Sequence, residues 1–259
     1  MDASTEDLKL VLPGRGLPAG AGWDWVAGAW KLFLRAPLMW IISFVLVFIA
    51  FVAIGIVPIL GGIAVQLLQP VIVAGFVAGS HSLERGGNFE LDHLFTGFKK
   101  SFGSLVLVGV FFMIGGFIIL LVFVAIVGTT VGVGLLTGNP EEAFSTIMAS
   151  ALVIVMGLLV MMALLVPLLA AYWFAPALVL MHDMQPIAAM RESFFACMRN
   201  FVPFLVYGLV MLFFALLAAI PFALGYLVWV PVAMASVYVS YRQIFTEETA
   251  PAPAKPTFA

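Results

Sequence analysis

Six stretches of almost uninterrupted apolar residues alternate with short polar segments along the chain. Each reaches the ~20 residues that an α-helix needs to cross a bilayer. Leu38–Val57 is the first and Ile59–Leu83 the second, with Pro58 between them suited to a helix's first position. The link is too short for anything but a helical hairpin. Ser104–Val127 is the third span, and its apolar character continues to Leu136. After the polar GNPEE turn, Phe144–Met181 exceeds one span. It reads as one long helix kinked at Pro167 and Pro176, where proline removes a backbone hydrogen bond. Phe201–Ile220 is the fifth span, and Pro221 starts the turn into the sixth, Phe222–Tyr241. The pattern predicts an all-α polytopic membrane protein.

Composition strengthens that reading. The 259 residues are 64% hydrophobic and only 9% charged, with mean hydropathy +1.20; soluble domains carry about 25% charged residues. A net charge of -2 indicates no nucleic-acid partner. The single cysteine, Cys197, excludes an internal disulfide and a cysteine-based metal cluster. Residues 1–22 are polar and acidic, without a basic segment leading into an apolar core, so they read as a flexible N-terminal segment and not a cleavable signal. Residues 23–245 form a single six-helix transmembrane domain. Residues 246–259 are Pro/Ala-rich and predicted disordered.

Six spans put both termini on one side. Every Lys and Arg falls on that side, from Lys9 to Lys255, whereas the other side holds only Glu141 and Glu142. Basic residues flanking short loops stay cytoplasmic. The expected location is the bacterial inner membrane with N- and C-termini inside.

The chain also shows a threefold internal pattern. Trp25–Ile41, Leu94–Val108 and Met190–Val206 each contain a small residue followed by an aromatic: Ala29–Trp30, Gly97–Phe98 and Ser193–Phe194. Each then turns purely apolar within about two helical turns. Apolar positions at helical spacing are Trp23, Val26, Trp30, Phe33 and Leu34; then Leu91, Leu94, Phe95, Phe98 and Phe102; then Ile187, Met190, Phe194, Cys197 and Phe201. Basic residues lie opposite them. Such amphipathic helices lie in the membrane interface. Pro70, Pro167 and Pro231 each begin P-x-x-x-A in the returning spans. Gly75 and Gly79 match Ser236 and Ser240 as small-xxx-small pairs, which let helices approach closely. The expected architecture is three parallel repeats, each an interfacial amphipathic helix plus a helical hairpin.

GGNFELDHLFTGF, AMRESFFACMRNFVPFLVYG and PVAMASVYVSYRQIF resemble segments of an uncharacterised bacterial six-helix inner-membrane protein family. They are similar, more distantly, to the membrane domain found beside glycerophosphoryl diester phosphodiesterases. The resemblance covers about residues 23 to 245 and implies a six-helix fold. It implies no reaction, because phosphodiesterase chemistry in those relatives belongs to a separate soluble domain.

Candidate chemistry is sparse. His81, His93, His182 and Asp183 fall near the charged boundary, but no HxxxH or HxH pair supports a metal, and they read as boundary-exposed polar residues. No GxSxG occurs. No catalytic, cofactor-binding or metal residue is assigned, and no cofactor is expected. Gln66 and Gln69 are the strongest polar candidates at depth; as interhelical glue they join Gly75, Gly79, Ser236 and Ser240 as helix-packing residues. Trp23, Trp25, Trp30 and Trp40 read as headgroup anchors. Lys31, Arg35, Lys99, Lys100, Arg191 and Arg199 set topology and, in a sharper reading, form a basic collar contacting anionic lipid headgroups. Cys197 belongs on an apolar face, with palmitoylation as the alternative. The function expected is a non-enzymatic module acting on membrane lipids, or on a membrane protein partner or second copy, in the cell envelope. The alternative is a permease or channel for a small or lipid-like solute, favoured by a polar-lined cavity around Gln66 and Gln69.

Overall fold

The structure is a computed structural model that describes residues 9–137 and 143–247, excepting the side chains of 130–150. The expected GNPEE turn and the tail from 248 onward lie outside the described residues. Those described are almost wholly helical: α1 Ala21–Arg35, α2 Pro37–Gly55, α3 Leu60–Glu84, a 3₁₀ turn Leu91–Phe95, α4 Thr96–Lys100, α5 Phe102–Thr137, α6 Ala143–Trp173, α7 Ala175–His182, α8 Pro186–Arg199, α9 Phe201–Ala219 and α10 Tyr226–Phe245.

Among the described residues, five segments are long and apolar enough to cross a membrane: Pro37–Gly55, Leu60–Glu84, Phe102–Thr129, Ala151–His182 and Phe201–Ala219. The chain is therefore a multi-pass, all-helical membrane protein. The expected sixth span, α10, has 20 residues but carries Ser236, Ser240, Arg242 and Gln243, and it is not among those five.

α10 and α3 occupy the centre. α3 packs against α2, α5, α7 and α10, and α10 packs against α1, α2, α3 and α9. Both bury small or aromatic faces, including Ala74, Gly75 and Gly79 on α3 and Ala235, Ser236, Tyr238 and Tyr241 on α10. The remaining long helices surround them and present leucine, valine and phenylalanine outward, as lipid contact requires.

Three local expectations are corrected. Pro58 does not open α3, which begins at Leu60 after Ile59 at φ 64°. The sixth helix begins at Tyr226 rather than Phe222, because Phe222 and Ala223 form a turn at φ 50° and 64°. The long fourth helix is two: it runs through Pro167 unbroken and breaks at Phe174, just before Pro176. A wedge accompanies that break. Ser193 Oγ accepts a hydrogen bond from Phe174 N–H (2.9 Å) and donates to Ala170 C=O (2.6 Å). The hydroxyl stands between a donor and acceptor four residues apart, where the helical bond would run. An inserted side chain of this kind kinks a helix while keeping both backbone groups satisfied.

The three lead-in segments are unequal. α1 and α8 are regular helices of 15 and 14 residues. The middle one is broken into the 3₁₀ turn and the five-residue α4. It lies along α3: a Cβ at Gly75 would meet Leu94 Cα at 2.7 Å, and one at Gly79 would strike the Phe89 ring. Gly75 and Gly79 thus admit the incoming chain, not a second spanning helix.

Candidate functional site at the charged end

In each lead-in the small residue of the small–aromatic pair is the buried one. Ala29, Gly97 and Ser193 are buried, whereas Trp30 and Phe98 are exposed and Phe194 is only partly covered. Trp23, Leu34, Phe95, Phe102, Ile187 and Phe201, expected on the apolar faces of interfacial helices, are also exposed. The physical reason is the solvent. Against lipid an aromatic side chain loses nothing by facing out, while small residues let backbones approach. Trp25 and Trp40, expected as headgroup anchors, are instead fully buried. Trp25 donates from Nε1 to Gln243 Oε1 at 2.9 Å, and Trp40 stacks on Phe76 and meets the tilted ring of Phe89.

Five of the six cations of the collar have internal partners. Arg35 donates to Leu83 C=O at 2.7 Å, at the end of α3. Lys100 donates to Leu180 C=O at 3.2 Å, at the end of α7. Arg15 donates to Thr246 C=O, just past α10. Helix C-termini carry unsatisfied carbonyls and partial negative charge, which cations at that end neutralise. Arg199 donates to Gly14 C=O at 2.5 Å, Lys99 pairs with Asp92 at 2.5 Å, and Arg191 pairs with Glu192 at 3.4 Å. Arg242 pairs with Glu84, Lys9 with Glu247, and Arg85 is also engaged. Among the described residues, Lys31 alone of the basic side chains has no partner, and it is exposed. The Lys99 ammonium holds the Asp92 carboxyl below the ordinary aspartate range.

Residues 9–20, expected within a flexible segment, carry several bonds across this end. Val11 and Arg15 N–H groups donate to Phe245 and Ile244 carbonyls at 2.8 Å. Asn200, buried, donates from Nδ2 to Arg15 C=O and accepts from Leu17 N–H. Sequence reasoning missed Asn200 in this role; its place directly after a basic helix end was the available signal.

The histidines do not converge. His81, expected at an exposed boundary, is buried, with Nδ1 3.0 Å from Tyr238 Oη; that hydroxyl also donates to Glu84 at 2.5 Å. His182 Nε2 meets Tyr241 Oη at 2.6 Å, and His93 closes a capping box with Glu90. Among the described residues no group of three His, Cys, Asp or Glu side chains could hold a metal. Cys197 is buried in an apolar setting that pushes its thiol up to about 12.

The deep amides separate. Gln69 is exposed, while Gln66 turns inward with Nε2 buried and without a hydrogen-bond partner among the described residues. Ser236 Oγ meets Tyr207 Oη at 2.7 Å, linking α10 to α9, while Ser240 bonds back to Ser236 C=O within α10.

A cleft lies between α1, α9 and α10, with a volume of about 570 Å³. Trp23, Ala27, Trp30 and Lys31 form its α1 wall, and Phe214, Leu217, Val228 and Trp229 line its length. Trp229 donates to Met211 C=O at 3.0 Å, tying the two long walls together.

The chain is similar to a protein of Burkholderia thailandensis named a probable inner membrane protein. The two are 29% identical over 212 residues, covering 80% of this chain and 77% of the relative. No protein-family model and no solved structure matches the chain. The relative's name and the apolar helices agree on an integral inner-membrane protein.

Proposed function

We propose that the chain is a non-enzymatic, lipid-interacting module of the inner membrane, built as three hairpin units with six spans and both termini cytoplasmic. One observation carries this reading: at all three lead-ins the small residue faces the protein and the following aromatic faces outward or is only partly covered. Aromatic side chains at headgroup depth anchor a protein in the interface. The capping pattern supports the unit division, since Arg35 serves the end of α3 and Lys100 the end of α7, each within its own hairpin unit. The excess of cations at this end supports a cytoplasmic assignment.

Two measurements test the proposal together. Single cysteines at Asn88 and Gln185 label from the cytoplasm, and those at Val57 and Phe222 label from the opposite side; the reverse pattern, or labelling of 222 with 185, overturns the topology. Mass spectrometry of lipids retained through gentle purification shows enrichment over the bulk membrane. Retained lipid of bulk composition removes the lipid-interacting half of the proposal.

A further inference from the structure

The cleft between α1, α9 and α10 has features that bulk lipid contact does not require. Its lining is almost entirely apolar along its length. Met211 to Leu217 on α9 and Gly225 to Val232 on α10 run side by side, each spanning about 10 Å at 1.5 Å per residue. Its volume of about 570 Å³ falls within the ~300–1,000 Å³ of small-molecule sites. One wall differs. There α1 contributes Trp23, Trp30 and Lys31. Lys31 is the one basic side chain among the described residues without an internal partner. Its neighbours on the collar serve helix carbonyls or carboxylates; Lys31 faces a cleft mouth framed by two exposed indoles.

We propose that this cleft is a specific site for one anionic membrane phospholipid, with an acyl chain lying between α9 and α10 and the headgroup phosphate held by Lys31. Charge and shape name the occupant together. An apolar slot suits a hydrocarbon chain, which contributes roughly 0.8 kcal/mol per buried methylene when drawn from water and packing contacts when drawn from lipid. A lone ammonium at its mouth suits an anion, and exposed tryptophans suit the headgroup layer. A second protein copy would present another helix to the slot, an outcome the oligomeric mass reads directly. This inference rests on the lipid-interacting reading above and gives it an address.

The test uses the full chain in nanodiscs of equal parts phosphatidylethanolamine and phosphatidylglycerol, followed by native mass spectrometry of retained lipid. Wild type retains phosphatidylglycerol preferentially. Lys31→Gln lowers that preference about fivefold, the weight of one basic residue at a membrane surface, and leaves phosphatidylethanolamine retention in place. Ala27→Phe and Val228→Phe, which fill the slot from opposite walls, reduce retention of both lipids. Lys99→Gln, whose lysine pairs with Asp92, serves as the control and changes nothing. Equal losses in Lys31→Gln and Lys99→Gln overturn the cleft while leaving a diffuse lipid interaction standing. A changed oligomeric mass with unchanged lipid in both slot-filling variants makes the cleft a protein interface and overturns the site. Wild type without preference for phosphatidylglycerol overturns the cleft, and wild type retaining neither lipid overturns the broader reading as well. A matched melting temperature for either slot-filling variant secures the comparison against misfolding.

Discussion

α3 and α5 are neighbours with opposite surroundings. In the most apolar stretch of α3, 44% of residues are buried inside the molecule; in that of α5 only 6% are. α5 is the more apolar helix of the two. In water this order would reverse. In a bilayer the solvent is itself hydrocarbon, so apolarity marks the outside of the bundle, and small or hydrogen-bonding residues mark its centre. α10 extends the same rule, since its serines, tyrosines and Arg242 place it beside α3. The two regions are held by different forces. The centre relies on close backbone approach and paired polar groups. The perimeter relies on helix hydrogen bonds and lipid.

That contrast predicts opposite signs for the same substitution. Gly75→Ala places a methyl 2.7 Å from Leu94 Cα, where backbone must move, at a cost of about 1–3 kcal/mol. Gly116→Ala in α5 meets open space, and alanine's better helix propensity raises stability by up to about 1 kcal/mol. Thermal unfolding in detergent compares the two; equal losses would erase the distinction between centre and perimeter. Next in size is Ser193→Ala, which strips Phe174 N–H and Ala170 C=O of their shared partner. It costs about 1–2 kcal/mol, while Thr129→Ala, on an exposed stretch of α5, changes melting by less than about 0.5 kcal/mol.

Cysteine chemistry sharpens the comparison without disturbing the fold. Burial raises the Cys197 thiol to about 12, and only thiolate reacts. A water-soluble maleimide at neutral pH should modify a cysteine at exposed Phe195 more than about tenfold faster. Rapid modification of Cys197, or its acylation in cells, would show that α8 opens. The smallest effect belongs to Asp92–Lys99. Its carboxyl is held below the ordinary aspartate value, so its contribution is present at neutral pH and is lost as pH falls below that value toward the lowered one. The pair is exposed, and exposed pairs contribute little. Acid titration of Asp92→Asn against wild type should show almost superimposable melting curves.

Five of the six expected spans were legible because run length is a direct reading of bilayer thickness. The break before Pro176 was legible because proline removes a backbone hydrogen bond from the turn before it. Which face turns inward was not. Core and lipid are both apolar, so a helical period of Trp23, Val26 and Trp30 cannot say that Val26 is buried and the two tryptophans are not. The use of the collar was equally hidden. Arg35 finds Leu83, and Lys100 finds Leu180, pairings that depend on where distant helices end. The turn at Phe222–Ala223 carried no signal either, since neither residue favours positive φ. Lys31 was named among six cations, but only its lack of a partner in the fold separates it from the rest.

Spin labels placed one at a time at Leu120 on α5, Phe213 on α9, Val77 on α3 and Ala235 on α10 test the division between centre and perimeter most directly. In liposomes, collision with dissolved oxygen should be high at 120 and 213 and low at 77 and 235, with a water-soluble nickel chelate excluded from all four. High oxygen collision at 77 and 235 with protection at 120 and 213 would place α3 and α10 on the outside and contradict the arrangement.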